Sequence, residues 1–319
     1  MTLDTNNSLL PVRLSSIRHA ARDILIFEFQ DLNGSPLPDS DPGAHIDINL
    51  PNGIVRQYSL INSGRGPRSY RVGVKRDPVS RGGSAYMHDQ LKVGTTLQIS
   101  HPRNHFPLAA NATSSTFIAG GIGITPIYCM IHHLTKLGRP WRLIYACRSR
   151  LDAAFAEDLK PLKNVTLHLD DEQGGKLLDV AGVVKAAPAE THFYCCGPTP
   201  MLRTFEEATA GLPPEHVHAE YFSPAETPAI EGGYTVELAR SKREFYIPTG
   251  SSILTVLMEA GVSVPHSCET GVCGSCETPV IYGKPDHRDS ILNAQERAES
   301  KTMMVCCSGS LSDKLVLDL

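Results

Sequence analysis

The chain of 319 residues contains one tryptophan, and aromatic residues make up only 6% of it. It has no stretch approaching eighteen uncharged apolar residues, so no transmembrane helix is expected. Its start, MTLDTNNSLLPVRL, lacks a basic region followed by an apolar core, so it does not read as a secretory signal. No charge sign dominates. Thirty Lys and Arg stand against 34 Asp and Glu, a net charge of −4, which gives no sign of a nucleic-acid-binding surface. Internal repeats and low-complexity tracts are absent. A hydrophobic content of 41% and a charged content of 20% are those of a soluble globular protein. The length exceeds one ordinary domain, and two or three are expected.

Cysteine is present in quantity and unevenly placed. Nine cysteines is an odd count, and they cluster towards the C-terminus. Without an export signal this favours metal or redox chemistry over disulfides, and the cytoplasm is the expected location. Cys268, Cys273 and Cys276 lie in HSCETGVCGSC, and Cys306–Cys307 follow in MMVCCSGS. A C-x4-C-x2-C run with a distant fourth cysteine is the spacing of a plant-type 2Fe–2S cluster, a carrier of single electrons. Cys306 leaves twenty-nine residues after Cys276 and fits that spacing better than its neighbour. Gly271 and Gly274 let the loop curl with its amides directed at sulfur. The competing reading is a zinc site. Zinc calls for a second well-spaced pair, and adjacent cysteines chelate poorly.

The rest of the chain falls into three blocks. Residues 8–109 carry short β-rich runs (RLSSIRHA, ILIFEFQD, HIDINLP, RQYSLINS, SYRVGVKRD, TTLQISHP) and predict an antiparallel barrel. Residues 110–224 alternate strand and helix patterns and predict an α/β, doubly wound parallel sheet. The segment 223–233, rich in Pro, Gly and small residues, reads as a linker. Residues 232–319 predict a compact α+β unit around the cysteines, with a hairpin (YTVELARSKREFYIP) and a helix (SILTVLMEAG).

Four motifs outside the C-terminal cysteine cluster carry chemistry. Gly120, Gly121 and Gly123, in GGIGITP, follow a strand and open a helix, where amides and the helix terminus favour a pyrophosphate. Such glycines also occur for steric reasons alone. Cys196, Gly197 and Pro198 end a later strand, at the edge where open α/β sheets bind ligands. Cys196 is equally readable as a small buried hydrophobe, and Arg148 as a solvated cation or a nucleotide contact. In the first block, Arg56-Gln57-Tyr58-Ser59 and Arg81-Gly82-Gly83-Ser84 offer a cation, an aromatic ring, hydroxyls and amides. A flavin with a phosphate tail needs that mixture. On their own these residues are readable as a strand aromatic and a turn.

Taken together, RQYSL, RGGS, GGIGITP, CCGPTPML and HSCETGVCGSC…CC…LVLDL resemble the phthalate dioxygenase reductase family, with its vanillate demethylase and carnitine monooxygenase relatives. The resemblance spans nearly the whole chain. It implies an FMN barrel, an NADH-binding domain and a β-grasp ferredoxin domain with the cluster on Cys268, Cys273, Cys276 and Cys306. It further implies FMN contacts from Arg56, Gln57, Tyr58, Ser59, Val74, Lys75, Gly82, Gly83, Ser84, Thr125 and Phe222. The NADH contacts it implies are Gly120, Gly121, Gly123, Arg148, Cys196, Gly197 and Pro198. Thr125 and Cys196 would position the hydride transfer. Gln57 departs from a relative that has Thr there, and Cys195 and Cys307 have no counterpart role. The implied activity is an NADH-dependent flavin iron–sulfur oxidoreductase, with electrons passing from NADH through FMN and the cluster to a Rieske-type oxygenase acting on an aromatic acid. A stand-alone reductase for another acceptor such as a cytochrome, and a zinc-binding non-enzymatic protein, are the alternatives. The chain is expected to be a monomer that engages neither nucleic acid nor membrane.

Overall fold

The computed structural model describes residues 9–319, so the expected start of the first block at residue 8 lies outside the described residues. Six strands form one antiparallel sheet: β1 (Leu10–Ala21), β2 (Ile24–Asp31), β3 (His45–Asn49), β4 (Val55–Ser59), β5 (Tyr70–Lys75) and β6 (Thr96–Ile99). Their order is β4-β3-β6-β1-β2-β5. The end strands meet through a bridge between Leu60 and Val72, which closes the sheet into a barrel. Register shifts in β1 at Leu14/Ser16 and His19/Ala21 supply the local coiling that closure requires. Alternate residues of each strand point inwards, and Val12, Leu14, Phe27, Phe29, Ile46, Ile48 and Val72 fill the barrel. Each such side chain contributes roughly 1.5–3 kcal/mol on burial. The short helix α1 (Gly83–Asp89) sits between β5 and β6.

The next five strands are β7 (Ser114–Gly120), β8 (Trp141–Cys147), β9 (Val165–Leu169), β10 (Thr191–Cys196) and β11 (Val217–Glu220). All neighbours are parallel, in the order β11-β10-β7-β8-β9. Helices α2 (Ile124–Lys136), α3 (Ala156–Leu159), α4 (Val180–Lys185) and α5 (Thr199–Thr209) connect them. The central strand β7 is buried along nearly its whole length, as a parallel strand covered on both faces must be. Strand order reverses between β7 and β10, which makes their carboxyl ends the topological switch point. The expected barrel and doubly wound sheet are present, with β11 as an edge strand that the sequence reading left out.

Barrel and sheet form one compact unit that ends at Glu220. The cause is a shared core: Ala21, Ile24, Ile26, Ile61 and Phe106 of the barrel region pack into the same cluster as Phe117, Ile127 and Tyr145 of the sheet. Tyr194 stacks on Phe117 and accepts a hydrogen bond from the Ala109 amide at 2.8 Å, fastening the connecting segment.

The second unit runs from Tyr221 to Leu319. Its strands are β12 (Tyr234–Leu238), β13 (Glu244–Ile247), β14 (Glu277–Tyr282), β15 (Pro285–Asp286), β16 (Thr302–Met304), β17 (Gly309–Ser310) and β18 (Lys314–Leu317). A five-stranded sheet has the order β13-β12-β18-β14-β16, in which only β12 and β18 run parallel. Helix α6 (Ile253–Glu259) packs on it through Ile253, Leu254 and Leu257 and is capped by Ser252, whose hydroxyl accepts from the Thr255 amide. Helix α7 (Ala294–Glu299) begins with a capping box between Asn293 and Glu296. The segment read as a linker is held to this unit from Ala225 onwards. The Ala225 amide donates to the Ser290 hydroxyl at 3.2 Å, and Glu226 pairs with Arg288 and Arg297 at 3.6 and 3.5 Å. The Ala229 amide donates to the Cys307 carbonyl at 2.8 Å.

Candidate functional site

The loop between α6 and β14 carries Cys268, Cys273 and Cys276, and the turn after β16 returns Cys306 to them. All four are buried, between 2% and 6% exposed. The Cys268 thiol interacts with those of Cys273 and Cys306, and the Cys276 thiol with that of Cys306. Gly271 and Gly274 adopt left-handed φ values of 74° and 72°, and the loop curls as the sequence predicts. Amides of Thr270 and Val272 then donate to Cys268 sulfur at 3.3 and 3.5 Å, and that of Ser275 to Cys273 sulfur at 3.5 Å. Contacts from Cys273 and Cys306, followed by those amides, hold the Cys268 thiol below its ordinary pKa, and the same contacts raise Cys273 and Cys306 in turn. This donor set fits a group that takes four thiolates and is tuned by amide hydrogen bonds. Among the described residues no three His, Cys, Asp or Glu side chains focus on a single ion position. A cluster that divides four thiolates between two irons needs no such focus.

On the barrel, β4 places Arg56, Gln57, Tyr58 and Ser59 in succession. Arg56 donates to the carbonyls of Val55 and Arg81, which brings its guanidinium to the start of α1. A Cβ at Gly83 would stand 2.6 Å from Arg56 Cγ, so the glycine and the arginine share one small space. A cation beside bare backbone is the environment a phosphate takes. The Ser84 hydroxyl accepts from the Asp77 amide at 3.1 Å and so also fixes the preceding loop. Gly82 has φ 92° and precedes α1. Gln57 lies opposite Asp47, and burial pushes the half-buried Tyr58 phenol up to about 12. The Val74 side chain belongs to the barrel core and its carbonyl bonds to His88, so it presents little but backbone, whereas Lys75 is exposed. Phe222 lies in the second unit and is 41% exposed.

At the switch point two turns pack backbone to backbone. A Cβ at Gly123 would fall onto the Cys196 carbonyl, and one at Gly120 would stand 2.6 Å from Pro198. Gly197 in turn lies against Gly120. Steric need therefore accounts for Gly120 and Gly123, while Gly121 (φ 52°) faces open space. Thr125 is 2% exposed; its hydroxyl donates to the Ile122 carbonyl at 3.0 Å and its methyl fills the space left by Gly73 of β5. Arg148 is exposed at the end of β8, and its carbonyl accepts from the Asp171 amide. Arg150 is occupied by Glu172 at 3.0 Å.

Glu220 is the functional candidate that the sequence reading missed. It ends β11, where Cys196 ends β10, and the Cys196 thiol approaches its Oε2 at 4.0 Å. The Ser59 hydroxyl donates to the same carboxyl. Burial pushes Glu220 up to about 8 against the pull of Ser59, and burial followed by Glu220 raises Cys196 well above its ordinary value. Ser59 from the barrel therefore meets Cys196 and Glu220 from the sheet as a neutral, hydrogen-bonded group at pH 7. The signal was slight: one acid closing a short alternating run, VHAE. A cavity of about 550 Å³ bounded by Val184, Lys185, Thr191, Phe193 and Leu212 lies at the opposite, amino end of β10 and takes no part in this arrangement.

Comparison with known proteins agrees with this geometry. Residues 236–309 match the 2Fe-2S iron-sulfur cluster binding domain family, and residues 117–207 match the oxidoreductase NAD-binding domain family. The cysteine match displaces the zinc reading. The chain is 50% identical over 309 residues to phenoxybenzoate dioxygenase subunit beta of Ectopseudomonas oleovorans, covering 97% of each. It is 40% identical to phthalate dioxygenase reductase of Burkholderia cepacia over the full length of both chains. The solved structure of a phthalate dioxygenase reductase, described as a modular structure for electron transfer from pyridine nucleotides to [2Fe-2S], superposes with a TM-score of 0.73 over 98% of each chain. An intact type IV self-sufficient cytochrome P450 monooxygenase matches 98% of this chain with a TM-score of 0.90 and 37% identity; the match spans 41% of that longer protein.

Proposed function

The chain belongs to the phthalate dioxygenase reductase family, and on that premise we propose that it is the reductase component of a two-component Rieske oxygenase acting on an aromatic acid. The observation that carries the proposal is the group of four buried cysteines with amides aimed at sulfur, in a chain that also has an NAD-binding domain. FMN is the flavin assigned to the barrel, on Arg56, Gln57, Tyr58, Ser59, Gly82, Gly83 and Ser84, with Val74, Lys75 and Thr125 along it. NADH is assigned to Gly121, Arg148, Gly197 and Pro198, with Gly120, Gly123 and Cys196 holding the turn in shape. Cys268, Cys273, Cys276 and Cys306 hold the cluster.

When bound, nicotinamide supplies a hydride, flavin divides the electron pair, and the cluster passes electrons singly to the partner. The chain's residues prepare the place. Arg56 beside Gly83 holds the phosphate tail. Thr125 anchors the start of α2 to Gly73. Ser59, Cys196 and Glu220 form a group without net charge at pH 7 at the edge of the sheet where a nicotinamide would bind. Plant-type clusters lie near about −400 mV and Rieske centres between roughly −150 and +300 mV, so delivery to such a partner runs downhill.

Purified protein with a candidate oxygenase tests the assignment. NADH oxidation coupled to reduction of the Rieske centre supports it; a protein that releases zinc and no iron overturns it. Mass spectrometry of the released flavin distinguishes FMN from FAD. A second reading, delivery to a heme protein, is favoured by the close superposition on the P450 monooxygenase. Comparing reduction rates of a cytochrome and a Rieske centre separates the two.

A further inference from the structure

We propose that Glu172 is a specificity-determining residue: by pairing with Arg150 it denies the 2′-phosphate of NADPH its cation and so turns the nucleotide site towards NADH. The proposal rests on the NADH reading above and names the nucleotide that the same site rejects. In doubly wound sheets the strand beside the glycine turn ends at the adenosine ribose. There an acid takes the 2′-hydroxyl of NADH, or an arginine takes the 2′-phosphate of NADPH. Here that strand is β8, parallel to β7, and Arg148-Ser149-Arg150 follow it. By residue type this turn is ready for a phosphate, yet its donors are already directed to carboxylates.

Arg150 Nη2 lies 3.0 Å from Glu172 Oε1. The Ser149 hydroxyl donates to Asp152 Oδ2 at 2.7 Å. Asp152 also receives both prongs of Arg22 from the barrel, at 2.9 and 2.6 Å, and the Arg22 amide donates to the Leu151 carbonyl at 2.8 Å. The turn is therefore clasped from the barrel side. Glu172 arrives from the next strand. The amides of Asp170 and Asp171 donate to the carbonyls of Cys147 and Arg148 at 3.0 and 3.1 Å, which lays the run Asp170-Asp171-Glu172 along the end of β8. Gly174, with φ 64°, lets the chain reverse after this run, and the Gly175 amide closes the turn on the Asp170 carbonyl at 2.7 Å. Both side chains of the Arg150–Glu172 pair are more than half exposed, so the pair adds little stability. Its effect is to neutralise Arg150 where a phosphate needs a net cation. A 2′-phosphate carries about 1.5–2 negative charges at pH 7 and has to draw Arg150 away from Glu172, whereas a 2′-hydroxyl has no charge to place.

The test uses the full-length holoprotein, with NADH and NADPH as donors to ferricyanide and with AMP and its 2′-phosphorylated form as inhibitors competing with NADH. The wild type is expected to favour NADH in kcat/KM. Glu172→Gln is expected to raise kcat/KM for NADPH about threefold to tenfold, mainly through KM, and to tighten the 2′-phosphorylated inhibitor by a similar factor. The values for NADH and AMP are expected to move much less, and added salt to shrink the gain. Arg150→Ala combined with Glu172→Gln is expected to cancel it. A wild type that oxidises neither nucleotide overturns the functional reading itself and this proposal with it. A wild type that uses both equally, an unchanged NADPH value in Glu172→Gln, an equal gain with NADH, or a gain that survives Arg150→Ala overturns the role of Glu172 and leaves the functional reading standing.

Discussion

Glu220 carries its proton at neutral pH because burial outweighs the hydrogen bond from Ser59. Its folded pKa of about 8 exceeds the ordinary 4.5, so the stability it contributes is present at low pH and is lost as pH rises through 8. The same ionisation puts a charge beside Cys196. We expect NADH-driven dye reduction by the holoprotein to fall above pH 8, and the Glu220→Gln variant to be active at pH 7 without that fall. A pH–rate profile of both proteins checks this, and an unchanged fall in the variant refutes it. The glycines make a second contrast. Gly123→Ala drives a methyl into the Cys196 backbone, which neither turn can relieve cheaply, and should cost about 1–3 kcal/mol. Gly121→Ala meets open space and bears only the left-handed backbone cost, about 1–2 kcal/mol. Urea unfolding measures the stabilities, and NADH titration separates binding from stability. Cys268, Cys273, Cys276 and the curl at Gly271 and Gly274 were legible in the sequence, because spacing and glycine act within one loop. Glu220 was not, because its meaning depends on Ser59 and Cys196, each far from it in the chain.

Among the elements, β11 is held by stacked polar rings. His218 stacks on Tyr194 and on His192, which also packs against His216. Burial, followed by His192 and His216, pushes His218 down to about 4, and burial also lowers His192 while Glu215 and Glu190 pull it back. A histidine whose folded pKa lies below its ordinary 6.5 contributes stability above that value and loses it as pH falls towards 4. Acidification from pH 6.5 to 4 should therefore cost on the order of 1–3 kcal/mol at this edge. Replacement by His218→Phe, which keeps a ring, should flatten the dependence in urea titrations at several pH values. All six barrel strands were visible in the sequence through alternation and turn residues, and β7 through its unbroken apolar run. The edge strand β11 was not, being four residues long and half-buried along its length. Helix α7 was hidden because its six residues bury no side chain fully and rest on the Asn293–Glu296 capping box.

Across the whole chain, composition signalled three blocks, while packing yields two compact units. The barrel and the α/β sheet merge because Ala21, Ile26 and Phe106 extend the core of the sheet, a contact between distant segments that no local pattern reveals. The linker is likewise less free than its Pro and Gly content suggests. Its Glu226 pairs are partly exposed and contribute about 0.2–1 kcal/mol each, but they act with the Ala225 and Ala229 amides. Hydrogen exchange should find both amides protected, and Arg288→Ala with Arg297→Ala should speed exchange at Ala225 more than in β12. The claim that joins both units is that one chain holds a flavin fed by NADH and a 2Fe–2S cluster. Anaerobic titration of the purified protein with NADH, followed by its absorbance, tests that claim most directly. The expected result is bleaching of flavin and iron–sulfur bands together, with two electrons taken up by the flavin and one by the cluster. A colourless protein, or uptake that ends with the flavin alone, would contradict it.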